Sequence, residues 1–428
     1  MHFLTYTSNL TGYPHAMSLT VLINAGPWLT VPPRGYGGIE NMIATLIPEL
    51  RGAGVRVVLA TVGGSTVDVD EKIVTFDEPQ FRHLTEPYNQ VMGIAATHMH
   101  RLVTELAHRG DVDLVHDHLE AVGPTVLAAA GRRLPPVLHT LHWDLSKHPD
   151  LYGNLSVDHL WVNGVSAAQI ARGPEPLRQR SLGHVHLATS LTRTAPRDPA
   201  PKGRHVALVA RISPTKGQHV AARLAHRCGV DLVLAGPVGP YANAADLAAD
   251  PHAERYPDVR YHRDAVAPLI DNRRVRWVGS LEGEARDHLV ATARATLFPL
   301  TWEEPGGTAV IESLALGTPV VAYRRGCLPE LVTPDTGRLA DPGDETALAG
   351  LLSQTDEIDP ARCRAEARRR FSPAVMAAGY LRMYAECVHR GHTPRLLSTR
   401  RAGGSTRTAA AGAGLTASPP TSPDGRTG

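Results

Sequence analysis

The sequence predicts an α/β protein made of two doubly wound, Rossmann-like domains that face each other across a cleft. Three observations carry this. From Ser18 onward, short apolar runs alternate with stretches of helical periodicity, the pattern of β–α units stacked on a parallel sheet. A proline-rich, strandless stretch, TAPRDPAPKG at 194–203, interrupts the alternation before it restarts, as an interdomain connector does. A chain of 428 residues also prefers two or three domains to one.

In the first series, strands are expected at 19–24, 55–60, 72–76, 113–116, 136–140, 160–165 and 184–188. Between the first two, Ile39, Met42, Ile43, Leu46, Ile47 and Leu50 follow helical spacing and form one apolar stripe, which Gly52 and Gly54 end. In the second series, strands are expected at 205–210, 231–235, 275–278, 296–298, 319–322 and 337–339. Val375, Met376, Tyr380, Leu381 and Met383 mark a closing helix over 371–389. The resulting organisation is a loose extension at 1–17 and a first domain at 18–196. A second domain follows at 203–370, then a C-terminal helix at 371–390 and a disordered tail at 391–428.

Composition narrows the function. Hydrophobic residues make up 43% and charged residues 20%, as in ordinary globular proteins, and a net charge of +2 gives no electrostatic footprint for nucleic acid. Weak peripheral membrane contact is the one further interaction that the arginines of the tail allow, with a solvated tail the stronger reading. Residues 1–17 lack the basic and apolar regions of a signal peptide, and no run reaches the length of a membrane span, so a cytoplasmic protein is expected. Four cysteines without C-x-x-C spacing imply neither a disulfide scaffold nor a zinc framework. Only four lysines stand among the 44 basic residues, which makes each of them worth inspecting.

The most informative segment is Trp302-Glu303-Glu304-Pro305-Gly306-Gly307-Thr308-Ala309-Val310-Ile311-Glu312. It follows a strand end and leads into a helix. The free N–H groups of that helix start, with the positive end of its dipole, suit an anion. Glu304 and Glu312 add acceptor-only carboxylates, so hydroxyls and phosphate can be held side by side. Read blandly, Glu304 only stabilises the helix dipole and Glu312 lies on the surface. A second segment, Val209-Ala210-Arg211-Ile212-Ser213-Pro214-Thr215-Lys216-Gly217, puts Arg211 and a rare lysine at another strand end, where two cations can neutralise a diphosphate. On its own it could equally be a solvated surface turn.

In the first half, Pro32-Pro33-Arg34-Gly35-Tyr36-Gly37-Gly38-Ile39-Glu40 joins a strand to a helix, and Gly37 and Gly38 let backbone amides approach a phosphate. The G-x-G-x-x-G fingerprint is absent, which disfavours a nicotinamide enzyme. His116, His118, His139 and His142 follow two further strands and are expected to line the cleft. Their spacings match no known metal-ligand motif, so no metal site is assigned.

With these segments assembled, the chain resembles the retaining glycosyltransferases of family 4, which have the GT-B fold. The resemblance runs from about residue 18 to about residue 389. It rests on PPRGYGGIE, DLVHDH, HTLHW, VNGVSAAQI, VARISPTKG, EEPGGTAVIE, ALGTPVVA and RFSPAVMAAGYLRMY. It implies that Glu304 contacts donor-sugar hydroxyls and Glu312 the ribose. Arg211 and Lys216 would grip the diphosphate with the amides of Gly306, Gly307 and Gly38, while Gly37 and Thr308 complete the donor-binding set. His142 would face the donor sugar, and the last helix would cross back to the first domain; His116, His118 and His139 are expected on the acceptor side of the cleft from their strand-end positions.

The implied activity is transfer of a hexose from a nucleotide diphosphate sugar to a small-molecule, lipid or glycan acceptor, with no metal or other cofactor. A nucleotide-sugar epimerase or hydrolase is the alternative on the same fold; a metal-dependent hydrolase and a non-catalytic binder rank lower. The chain departs from the family in three places. Gly306-Gly307-Thr308 stands where Phe-Gly-Leu is common, and His186-Leu187-Ala188-Thr189 replaces the usual His-Asn-Gly stretch. A longer polar insertion, 237–274, has no assigned role.

Overall fold

The computed structural model describes residues 19–35, 37–155, 157–195 and 200–392. Among the described residues, thirteen strands form two sheets, and every strand pair in them is parallel. The first holds β1 (Thr20–Asn24), β2 (Arg56–Val62), β3 (Glu71–Phe76), β4 (Leu114–Asp117), β5 (Val137–Thr140), β6 (Leu160–Gly164) and β7 (Ser181–His184), in the order β3-β2-β1-β4-β5-β6-β7. The second holds β8 (Val206–Val209), β9 (Leu232–Ala235), β10 (Val275–Trp277), β11 (Ala295–Phe298), β12 (Val320–Tyr323) and β13 (Gly337–Ala340), ordered β10-β9-β8-β11-β12-β13. The strands read as near-continuous apolar runs because helices cover both faces of a parallel sheet.

Strand order also fixes where a ligand can enter. In each sheet the chain starts in the middle, runs to one edge, and returns to lay its next strand on the other side of the first. That reversal opens a crevice at the carboxyl ends of β1 and β4 in one lobe and of β8 and β11 in the other. Four segments singled out in the sequence leave these four strands: the loop at 32–40, the histidines from 116, the Arg211–Lys216 turn and the 304–312 segment.

Helix 38–52 buries Met42, Ile43, Leu46, Ile47 and Leu50 against the first sheet, as the apolar spacing requires. Helix 373–392 places Met376, Ala377, Tyr380, Met383, Tyr384 and Cys387 in the same core, so the C-terminal helix returns to the first lobe. It begins at Pro373 rather than Phe371, which ends the preceding helix, Pro360–Phe371. Pro373 disfavours helical geometry at Ser372 and separates the two. The helix also continues through Gly391 and His392, two residues into the expected tail. The rest of that tail, and the extension expected at 1–17, lie outside the described residues.

One strand differs from expectation. β7 spans 181–184, whereas the apolar signal placed it at 184–188. Val185 and Ala188 are apolar because they pack against the returning helix, and the true edge strand is half-exposed and weakly patterned. The insertion at 237–274 is part of the second core, with Tyr241, Val259 and Val266 buried in it. Among the described residues, no helix is long and apolar enough to cross a membrane.

Candidate active site

In the second lobe, Lys216 ends a single tight turn, Pro214–Lys216, and its Nζ donates to Glu304 Oε2 at 2.5 Å. The ammonium also lies 4.9 Å from the centre of the Trp302 ring, a cation–π contact. Glu304 Oε1 accepts the Gly307 amide at 3.4 Å, and the Glu304 carbonyl accepts the Cys327 amide at 2.8 Å. Gly307 is the N-cap of helix 308–315, and its φ of +63° is a conformation few other residues hold at low cost. Lys216, Glu304 and the start of this helix therefore form one constellation, with Thr308 as the first helical residue.

Glu312 lies farther along the same helix, 3.4 Å from Arg286. Burial raises its pKa, and Arg286 works against that rise. Arg211, half-exposed beyond β8, stands 3.4 Å from Asp258 of the insertion. The cation expected to hold a diphosphate thus has a carboxylate beside it.

The other glycine-rich segment singled out in the sequence belongs to the first lobe. Gly37 is the N-cap of helix 38–52, and a side chain on it would collide with Pro33 at 2.7 Å. Gly38 begins that helix, and no atom lies within 4 Å of where its Cβ would be. Glu40, in the first turn, is a buried carboxyl whose pKa burial lifts to about 7. It stands in the PPRGYGGIE segment but was given no role there.

The histidines require a correction. His116 is fully buried and does not line the cleft: Nδ1 bonds Tyr384 Oη at 2.7 Å and Nε2 bonds Thr140 Oγ1 at 2.8 Å. As a residue within β4, it lies under the returning helix, which the sequence alone did not place there. His139, within β5, is likewise fully buried and is a poor candidate for direct acceptor contact. Its Nδ1 donates to Asp117 Oδ2 at 2.7 Å, and its Nε2 lies 3.6 Å from Glu120 Oε2.

Burial opposes charge on His139, but Asp117 and Glu120 outweigh it and raise its pKa to about 9. Burial would raise Glu120; the close positive charge of His139, with further help from His142 and its backbone amide, instead holds it at about 2. Glu120 also accepts the amides of His142 and Trp143 and the Tyr152 hydroxyl. It therefore fixes the backbone that carries His142. His142 is half-buried, its Nε2 3.0 Å from Nδ1 of buried His118, and burial lowers its pKa to about 4. His118 is buried and offers no open face to the cleft; its Nε2 has no partner among the described residues.

Asp117, Glu120, Tyr152 and Trp302 are the supporting residues that sequence reasoning missed. Asp117 was in view between His116 and His118, whereas Glu120 and Tyr152 acquire meaning only when the chain folds them onto His139 and His142.

The two lobes meet at this site. A crevice is lined by Asp144, Leu145, Gln169 and Arg172 on one side and by Glu303, Glu304, Pro305 and Gly326 on the other. Gly306 abuts the first lobe: a Cβ on it would come within 2.6 Å of Leu187 Cδ1 and 3.2 Å of Val165 Cγ2. Lys216 and Glu304, with helix 308–315, thus stand at an interlobe crevice.

Sequence comparison accords with this geometry. Residues 36–173 match the family described as Glycosyltransferase Family 4, and residues 195–370 match Glycosyl transferases group 1. The chain belongs to glycosyltransferase family 4. The MMP alpha-(1->4)-mannosyltransferase of Mycolicibacterium hassiacum is 28% identical over 281 residues, a match spanning 58% of this chain and 62% of that relative. Among solved structures, AviGT4, a glycosyltransferase involved in avilamycin A biosynthesis, is 25% identical with a TM-score of 0.60, covering 87% of this chain and 98% of that one. Anabaena Alr3699/HepE, solved in complex with UDP-glucose, shares the fold at 19% identity and a TM-score of 0.61, over 86% of this chain and 100% of that one. These likenesses make this family 4 member a GT-B protein.

Proposed function

We propose that this family 4 protein transfers a hexose from a nucleotide diphosphate sugar to an acceptor hydroxyl, with retention of anomeric configuration and without a metal ion. The observation that carries the reading is the Lys216–Glu304 pair beside the Gly307 amide, at the switch point of the second sheet. Without a ligand, Lys216 is neutralised by Glu304, and Arg211 stands beside Asp258. A diphosphate exchanges these carboxylates for phosphate oxygens and frees Glu304 to accept sugar hydroxyls.

The bond from the anomeric carbon to the diphosphate then breaks as the bond to the acceptor oxygen forms, and the acceptor's proton goes to the departing diphosphate. Charge growing on that group is held by Lys216, Arg211 and the N-terminus of helix 308–315. No side chain forms a covalent bond to the sugar in this scheme. Glu120, acting through the amides of residues 142 and 143, is a positioning residue for His142.

The UDP-glucose complex of HepE, on the same fold, supports a nucleotide sugar as donor. The mannosyltransferase relative supports transfer to an acceptor over epimerisation. The test is NMR of the products after incubation with nucleotide diphosphate sugars, with and without polyol and glycoside acceptors. A new glycoside with the donor's anomeric configuration supports the reading. Free sugar or an epimerised donor in every case overturns it.

A further inference from the structure

Next to the crevice, His184, His186 and Glu330 bring one ring nitrogen each and a carboxylate oxygen within 4.8 Å of one another, and they are the one such trio of candidate metal ligands among the described residues. We propose that these three side chains bind a borderline divalent cation of the Zn²⁺ class, and that the ion ties the two lobes together.

Strand geometry builds half of the site. His184 is the last residue of β7, and His186, two positions on, keeps the same side of an extended chain, so their ring centres lie 4.7 Å apart. Glu330 comes from the second lobe, on the short helix 328–331, with Oε2 4.0 Å from His184 Nε2 and 3.8 Å from His186 Nε2. Ligand atoms around a tetrahedral Zn²⁺ at roughly 2.0–2.2 Å stand about 3.4 Å apart, so Glu330 has to close by about half an ångström on each imidazole, and the two imidazoles by at most about 1.4 Å on each other, to complete the set.

The surroundings already orient all but one of the ligands. His186 Nδ1 lies 3.2 Å from the Val165 carbonyl; donation to it puts the ring proton on Nδ1 and leaves the Nε2 lone pair free. Both oxygens of Glu330 are steered by first-lobe amides, Ala167 at 2.9 Å and Ala168 at 2.7 Å. His184 is about one-third exposed, which gives the ion its entry path. Arg370, whose guanidinium donates to the Glu330 carbonyl, is the nearby cation that opposes binding. Two imidazoles and one carboxylate suit Zn²⁺ or Co²⁺ better than Mg²⁺ or Ca²⁺, which prefer oxygen alone.

The test uses the full chain without an affinity tag, stripped with chelator and titrated with Co²⁺ and then Zn²⁺. About one equivalent of Co²⁺ should bind with visible d–d absorption that Zn²⁺ displaces, and Zn²⁺ should raise the melting temperature. His184→Asn and His186→Ala should each weaken binding by about 100-fold or more, beyond the usual effect of losing a supporting residue. His83→Ala, at a partly buried histidine elsewhere, should leave the titration unchanged. His184→Asn alters an exposed position and keeps the test valid if His186→Ala does not fold. Equal Co²⁺ affinity in the native chain and His184→Asn, or no d–d absorption in the native chain, overturns the site. No donor sugar is present, so this failure leaves the proposed transfer reaction untouched.

Discussion

Lys216 and Glu304 are separated by 88 positions in sequence, yet a 2.5 Å hydrogen bond joins them. The turn after β8 supplies one and the loop after β11 the other, and those strands are neighbours because the sheet reverses direction there. Both side chains are partly exposed, so their mutual attraction adds at most about 1 kcal/mol to stability. Replacing either with alanine should therefore lower turnover by about 100-fold or more, since a donor aimed at developing charge is worth several kcal/mol in the transition state. Thermal melts of the same variants should stay close to the parent. Normal turnover in both Lys216→Ala and Glu304→Ala would remove them from the machinery.

Gly306 and Leu187 form a second cross-lobe relationship. An aromatic residue is common in the family at the position of Gly306, and here the Leu187 methyl group already occupies the space that side chain would enter. Gly306→Phe should force the lobes apart, visible as a larger radius of gyration in solution scattering, and should cost about 1–3 kcal/mol as overpacking does. Adding Leu187→Ala should recover much of that loss. An additive double-mutant cycle would show that the two residues do not compete for one space.

The strands were legible in sequence because each is a short apolar run between turn signals, and twelve of the thirteen fall where the pattern puts them. β7 was displaced because apolar residues there serve the returning helix rather than the sheet. The same blind spot explains His116: a histidine at a strand end reads as cleft-facing until Tyr384 of that helix is seen to cover it. Lys216 and Glu304 were legible from rarity and loop chemistry. Glu120 was not, because its role depends on His139 and Tyr152, which lie 19 and 32 positions away in sequence.

Glu120 and His139 make a prediction about stability. Glu120→Gln leaves the buried His139 imidazolium with Asp117 alone and weakens the anchor of three donors, so unfolding in urea should show a loss of about 3–5 kcal/mol near neutral pH. The pH dependence follows from the two shifts. His139 is raised from 6.5 to about 9, so its contribution is complete below pH 6.5 and disappears as pH rises through 9. Glu120 is lowered from 4.5 to about 2, so its contribution is complete above pH 4.5 and disappears as pH falls through 2. The variant should flatten both flanks of the stability profile; a parent-like profile would mean the pair carries no net energy.

Glu40 behaves in the opposite sense. Burial lifts its carboxyl from 4.5 to about 7, which favours the protonated form in the folded chain. Below pH 4.5 the group is neutral whether folded or unfolded and costs nothing. As pH rises toward 7 the unfolded chain gains an ionisation that the folded chain resists, and the resulting destabilisation is complete above 7. Glu40→Gln removes that term. The variant should match the parent near pH 4 and exceed it by about 1–3 kcal/mol at pH 8, a range bounded by the size of the shift. Urea titrations at the two pH values decide the point, because a glutamate stabilised as an anion at the start of helix 38–52 would make the variant weaker at pH 8 instead.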